Sequence, residues 1–199
     1  NGPMLDFFDR KAVFEKARDL LLAGGYTRAG FESYSLPNDP LTKSMEKKKA
    51  VYNSLGTQKG EATNFIAVGS SAHGVLNDQF YFQNFYEQDR YRTAVSNGEF
   101  PIYRGLKMSD DDVIRREVIR HIRTFFNVEY DFFEKKYNIK FKDYFKKELS
   151  NLDTFQRDQL LETNGNNFIL SDLGQHFAPQ VANVFDSYND QKFYLRDIG

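Results

Sequence analysis

The chain has 199 residues, enough for one large domain or two small ones and enough to bury a core. Its 27 basic and 28 acidic residues nearly cancel, so no net field points to nucleic acid or an anionic membrane surface. The absence of cysteine excludes disulfides, zinc ribbons, thiolate catalysis and any cysteine-held cluster within these residues.

No apolar run approaches the roughly 20 residues of a membrane span, and no charged n-region with an apolar h-region opens the chain. The expectation is a cytoplasmic protein. The 20 Phe and 12 Tyr, with no Trp, read first as core volume, and they would also suit a flat macrocyclic ligand.

Residues 6–23 place Phe7, Val13, Phe14, Ala17, Leu20 and Leu21 near helical spacing, and Gly24-Gly25 follows as a C-cap. Residues 26–36 read as a strand, Pro37-Asn38-Asp39-Pro40 as a loop, and the lysine-rich 41–52 as a helix. Residues 64–68 are a further strand candidate, running into Gly69-Ser70-Ser71-Ala72-His73-Gly74. Val75-Leu76, Asn77-Asp78 and Phe80-Tyr81-Phe82 read as a hairpin, and 85–95 as a helix ended by Asn97-Gly98. Helix–strand–helix–strand order argues for α/β architecture. Two strands with their helices cannot close a barrel, so the N-terminal half reads as a slice of something larger.

From Ser109 the pattern becomes mainly helical. Ser109 is an N-cap candidate, and Asp110, Asp111 and Asp112 sit in the first turn, where carboxylates meet the helix dipole. Ile114, Val118, Ile122 and Phe125 form one apolar stripe; Phe141, Tyr144, Phe145, Leu149 and Leu152 form another. Leu160-Leu161, Asn164-Gly165 and Phe168-Ile169-Leu170 read as a short hairpin, a β-wing. Ser171 caps a last helix that Pro179 should divide. The outline is winged-helix-like. Phe155-Gln156-Arg157-Asp158-Gln159 is too mixed in charge for a DNA-reading helix, so no nucleic-acid partner is expected.

Candidate chemistry is sparse. The three histidines, His73, His121 and His176, share no metal-ligand spacing, so no metal site is expected. The acidic triplet could bind a divalent cation, although capping explains it. The glycine-rich turn 69–74 allows close approach of backbone to a ligand.

One block is more specific. Residues 104–119 read R-G-x-x-x-[ST]-x-D-D-x-x-R-R-x-V-I, a strand end entering a capped helix. With Gly25-Tyr26, Pro37-x-Asp39-x-Leu41, Asn53-x-x-Gly56, Gly69-x-Ser71-Ala72, Gln83-Asn84, Tyr144-Phe145, Leu170-Ser171-x-x-Gly174 and Phe185-Asp186-x-Tyr188, it resembles the C-terminal region of the oxygen-independent coproporphyrinogen III oxidase family. The resemblance implies a radical S-adenosylmethionine (SAM) enzyme of haem biosynthesis that decarboxylates porphyrinogen propionates to vinyls. It implies that residues 1–105 are the last strands and helices of a partial (β/α)6 barrel with its connecting helix. Residues 106–199 would be the helical, winged-helix-like domain. SAM and a 4Fe-4S cluster would belong to the full-length protein, with the cluster loop upstream of Asn1 and no catalytic residue in this chain. The expected partners are a porphyrinogen or porphyrin and the N-terminal barrel half.

The family's second SAM site falls by position on Ser54, Leu55, Ala72 and His73. The family usually has Phe-Gln where this chain has Ser54-Leu55, and an aliphatic residue where it has His73. Glu32-Ser33-Tyr34-Ser35-Leu36-Pro37 likewise stands where the family has Asp-His-Phe-Ala-Arg-Pro. The alternatives are a haem-utilisation paralogue acting on haem and a non-catalytic winged-helix interaction module.

Overall fold

The computed structural model describes residues 5–53, 56–60 and 64–189. The chain forms two compact units: Asn1–Gly60 with Val118–Gly199, and Glu61–Glu117. The fold is mixed α/β, and every ladder among the described residues is antiparallel.

In the larger unit, α1 (Phe7–Ala23) starts where the Asp6 carboxylate accepts from the Asp9 amide at 2.9 Å and stops at Gly24. The expected apolar stripe of this helix is only partly inward. Phe14 and Leu21 are half-buried, whereas Val13 and Leu20 are 58% and 65% exposed. Residues 26–36 form two short strands rather than one, β1 (Thr27–Arg28) and β2 (Tyr34–Ser35), paired as a hairpin. Helix α2 (Pro40–Glu46) is capped by Asp39, whose carboxylate accepts from the Leu41 amide at 2.7 Å. It is shorter than the sequence suggests. Lys48 takes φ +52°, which breaks the helix, and β3 (Val51–Asn53) then pairs with β4 (Gly56–Gln58).

The smaller unit holds β5 (His73–Leu76), β6 (Phe80–Asn84), α3 (Gln88–Ser96) and β7 (Ile102–Lys107), with sheet order β5-β6-β7. Residues 64–68 reduce to one bridge, Phe65 opposite Val75. The first hairpin turns through Asn77 and Asp78 with φ of +50° and +54°, a conformation that Asn and Asp tolerate better than other non-glycine residues.

Helix α4 (Asp110–Phe125) begins with a reciprocal cap. Ser109 Oγ accepts from the Asp112 amide at 3.2 Å, and the Asp112 carboxylate accepts from the Ser109 amide at 2.8 Å. Asp111 pairs with Arg115 at 2.7 Å. The acidic triplet thus serves the helix start. Arg116 reaches Asp78 at 2.7 Å, which ties the first turns of this helix to the β5–β6 turn within the smaller unit.

After β8 (Asn127–Glu129), short helices follow: α5 (Tyr130–Tyr137), α6 (Phe141–Tyr144), α7 (Lys146–Asn151) and α8 (Asp153–Arg157). The hairpin β9 (Leu161–Thr163) and β10 (Asn167–Leu170) joins β8 in the order β8-β10-β9. Ser171 Oγ accepts from the Gly174 amide at 3.0 Å and opens a 3₁₀ turn, Gly174–Phe177, which passes into α9 (Ala178–Asn183). Pro179 sits in the first turn of α9, where its missing N–H costs nothing.

The core of this unit is aromatic. Phe133, Phe141, Phe145, Phe168 and Phe185 have no exposed surface. Tyr130 stacks on Phe141 at 4.4 Å, and Phe145 meets Phe185 edge-on at 5.4 Å. Gly174 sits against the Leu160 carbonyl so closely that a Cβ there would overlap it. Gly174→Ala should therefore destabilise the protein by ~2 kcal/mol or more, read as a lower urea midpoint with an unchanged slope.

His176 packs edge-on against Phe14 at 5.8 Å, and its Nε2 lies 3.1 Å from Arg18 Nη1. Arginine has no acceptor, so Nε2 accepts and the ring is neutral. Burial, and then the charges of Arg28 and Arg18, push the His176 pKa below its ordinary 6.5. The unfolded state then binds the proton more readily than the folded state. The stability due to neutral His176 is complete above the unfolded value and is lost as pH falls through 6.5 towards the lower folded value. Melting temperature should drop between about pH 7.5 and 5, and His176→Gln should flatten part of that slope.

Candidate functional site

The glycine-rich turn is held from several sides. Asn84 is 2% exposed. Its Nδ2 donates to Gly69 O at 3.0 Å and to Ala67 O at 3.4 Å, and its amide donates to Ala72 O at 2.9 Å. Tyr91 OH accepts from the Gly69 amide at 2.9 Å, and Phe85 O accepts from the Ser71 amide at 2.8 Å. Ser71 sits at φ +64°, a left-handed conformation that a serine holds here because these bonds fix both sides of it. Gly74 then enters β5 with the Phe82 ring over it, in the space a Cβ would need.

The turn delivers His73 to the sheet. Cross-strand pairing sets His73 opposite Gln83 and Gln83 opposite Arg104. Directly opposed residues share a face, so these three make one polar row. Val75, Tyr81 and Leu106 make the next row on that face. Gln83 Nε2 donates to Ser71 O at 3.3 Å and Ser71 Oγ at 3.4 Å, and Gln83 Oε1 accepts from Arg104 Nε at 2.9 Å. An open depression of about 280 Å³ is lined by His73, Tyr81, Phe82, Gln83, Arg104, Gly105 and Leu106.

The other histidines have different settings. His121 lies among Phe125, Phe132 and Phe133 at centroid distances of 5.2, 4.8 and 5.0 Å. Among the described residues, no group of three or more His, Asp or Glu could hold a metal ion.

Comparison with known proteins gives these features a family context. Residues 108–177 match the HemN C-terminal domain model. The oxygen-independent coproporphyrinogen III oxidase of Synechocystis sp. is 31% identical over 172 residues, covering 84% of this chain and 37% of that protein. The Helicobacter pylori oxidase is 28% identical over 180 residues, covering 90% and 39%, and the Escherichia coli oxidase is 26% identical over 186 residues, covering 94% and 40%. This chain resembles the C-terminal part of the oxygen-independent coproporphyrinogen III oxidases. It spans about two-fifths of the length of these curated relatives. A solved structure of E. coli coproporphyrinogen III oxidase (HemN), described as a radical SAM enzyme, superposes with a TM-score of 0.85 over 93% of this chain and 42% of that one. At 24% identity that likeness speaks for the fold.

Of the expected SAM-contact residues of the oxidase family, Ala72 and His73 lie at the turn, where His73 is exposed and borders the depression. Ser54 and Leu55 lie outside the described residues. A 4Fe-4S cluster does not fit the residues present, since the chain has no cysteine. Gln83, Asn84 and Arg104 carry the resemblance in sequence, but their cooperation emerges only from strand register. Asn84→Ala should cost ~1–3 kcal/mol, because it removes two carbonyl partners from a buried site. Faster amide exchange in residues 69–73 than in α4 would report the released turn.

Proposed function

We propose that this chain is the C-terminal portion of an oxygen-independent coproporphyrinogen III oxidase-like radical SAM enzyme, which decarboxylates porphyrinogen propionates in haem biosynthesis. The observation that carries the reading is collinearity: oxidases from several organisms align over 84–94% of the chain. The R-G…D-D-x-x-R-R block falls where β7 hands over to the capped α4. On this reading residues 1–105 continue a partial (β/α)6 barrel, and 106–199 form a winged-helix-like domain. The start of the family match at residue 108 supports that boundary, and the β8-β10-β9 ladder supports the wing.

The cluster and SAM, held largely by the rest of the protein, would supply the oxidising chemistry. This chain would contribute Ser54, Leu55, Ala72 and His73 to a second SAM contact, and walls to the substrate cavity. Its partners would be the N-terminal barrel half and the tetrapyrrole. The compartment would be the cytoplasm; among the described residues no helix is long and apolar enough to cross a membrane. Leu55 and His73, which depart from the family pattern, favour a haem-directed paralogue as the second reading, because leucine cannot hydrogen-bond as glutamine does.

The test uses the full-length protein, reconstituted without oxygen and given SAM, an electron donor and coproporphyrinogen III. Mass spectrometry should find a product lacking two carboxyl groups. SAM cleavage without that product would remove the substrate assignment and favour haem, and no SAM cleavage would overturn both enzyme readings.

A further inference from the structure

Arg104 differs from its neighbours in how it is held. Arg115 and Arg116 each pair with an aspartate, at 2.7 Å. Arg104 instead gives its Nε to the Gln83 carbonyl at 2.9 Å, and its guanidinium lies 5.8 Å from the Tyr103 ring centre. No Asp or Glu among the described residues pairs with it. Gln83 in turn is anchored by two bonds to Ser71, so the amide cannot rotate without losing them. The guanidinium is therefore oriented through one edge, and its Nη pair is left for a ligand.

The surroundings define what such a ligand looks like. The polar row His73–Gln83–Arg104 runs beside the apolar row Val75–Tyr81–Leu106 on the same sheet face. Leu106 is 52% exposed, and the depression of about 280 Å³ opens onto it. A small molecule with a carboxylate at one end and an apolar or flat body matches both rows. Arginine binds a carboxylate with two parallel N–H donors, a geometry that lysine cannot reproduce.

We infer that the His73–Gln83–Arg104 row is a carboxylate-binding subsite: Arg104 Nη1 and Nη2 take the anion, Gln83 is the positioning residue, and His73 borders it. The subsite stands on the sheet geometry alone; only the identity of its ligand rests on the function proposed above. Two carboxylates are then available, a side chain of the tetrapyrrole or the α-carboxylate of SAM.

The test measures binding rather than turnover, in full-length protein and in Arg104→Gln, Arg104→Lys and Gln83→Leu. The probes are coproporphyrin III and its tetramethyl ester, followed by fluorescence in one detergent buffer, and SAM, followed by equilibrium dialysis. Arg104→Gln should weaken one carboxylate probe roughly tenfold or more at unchanged melting, the scale of a charge-assisted pair. Arg104→Lys should lose about threefold or more, because it keeps the charge without the fork. Gln83→Leu should weaken the same probe while the arginine remains. A loss confined to coproporphyrin assigns the anion to the macrocycle, a loss confined to SAM assigns it to SAM, and a loss on both supports one anion shared by the two.

Affinities within twofold of wild type for both acids in folded Arg104→Gln would overturn the subsite, as would an equal loss for the ester. If Arg104→Gln does not fold, wild-type affinity in Arg104→Lys overturns it. A protein that binds these probes through Arg104 yet decarboxylates nothing would overturn the proposed enzyme and leave the subsite standing. An active oxidase with unchanged probe affinities would do the reverse.

Discussion

A buried carboxamide must find partners, and that requirement organises the smaller unit. Asn84 cannot be solvated where it sits, so its Nδ2 is satisfied by the carbonyls of Gly69 and Ala67. Those bonds fix the path of the chain before β5. The path fixes where Ser71 presents its carbonyl and hydroxyl, and these hold Gln83, which holds Arg104. The candidate site is thus the outer end of a chain of hydrogen bonds whose inner end is buried, and its order comes from a residue that lines none of it.

The larger unit depends on a different kind of force. Its interior is a run of phenylalanines contacting one another between α5, α6, β10 and the segment after α9. Burial of such rings supplies large apolar area with little rotameric freedom to lose. That explains how a helix as short as α6 persists: short helices are marginal alone, and Phe141 buries one face of this one.

Local signals were readable in the sequence, and long-range ones were not. The Ser109 cap, the Asn77-Asp78 hairpin, the β9–β10 hairpin and the break at Pro179 all follow from near neighbours, and all are present. The helix expected over 41–52 stops early because Lys48 adopts a left-handed conformation and the residues after it pair with β4, a partner that composition does not name. The same applies to the site. His73, Gln83 and Arg104 are ten and more positions apart, and only sheet register makes them neighbours. The family pattern pointed to their positions without giving the reason for them. Similarly, α1 has helical spacing of apolar residues, yet Val13 and Leu20 point outward, because periodicity cannot say which side of a helix meets a core.

The Phe82 ring lies where a side chain at Gly74 would be, and Gly105 stands opposite it on the other neighbouring strand. One ring therefore fills the volume of two positions, 82 and 74. A lineage can enlarge position 74 only after position 82 has shrunk, so sequence change at this corner of the sheet is confined to paired steps taken in one order. The bareness of position 74 is then set by two neighbours within the sheet, the Phe82 ring and the Phe65 carbonyl, and it would outlast changes in whatever the neighbouring face binds.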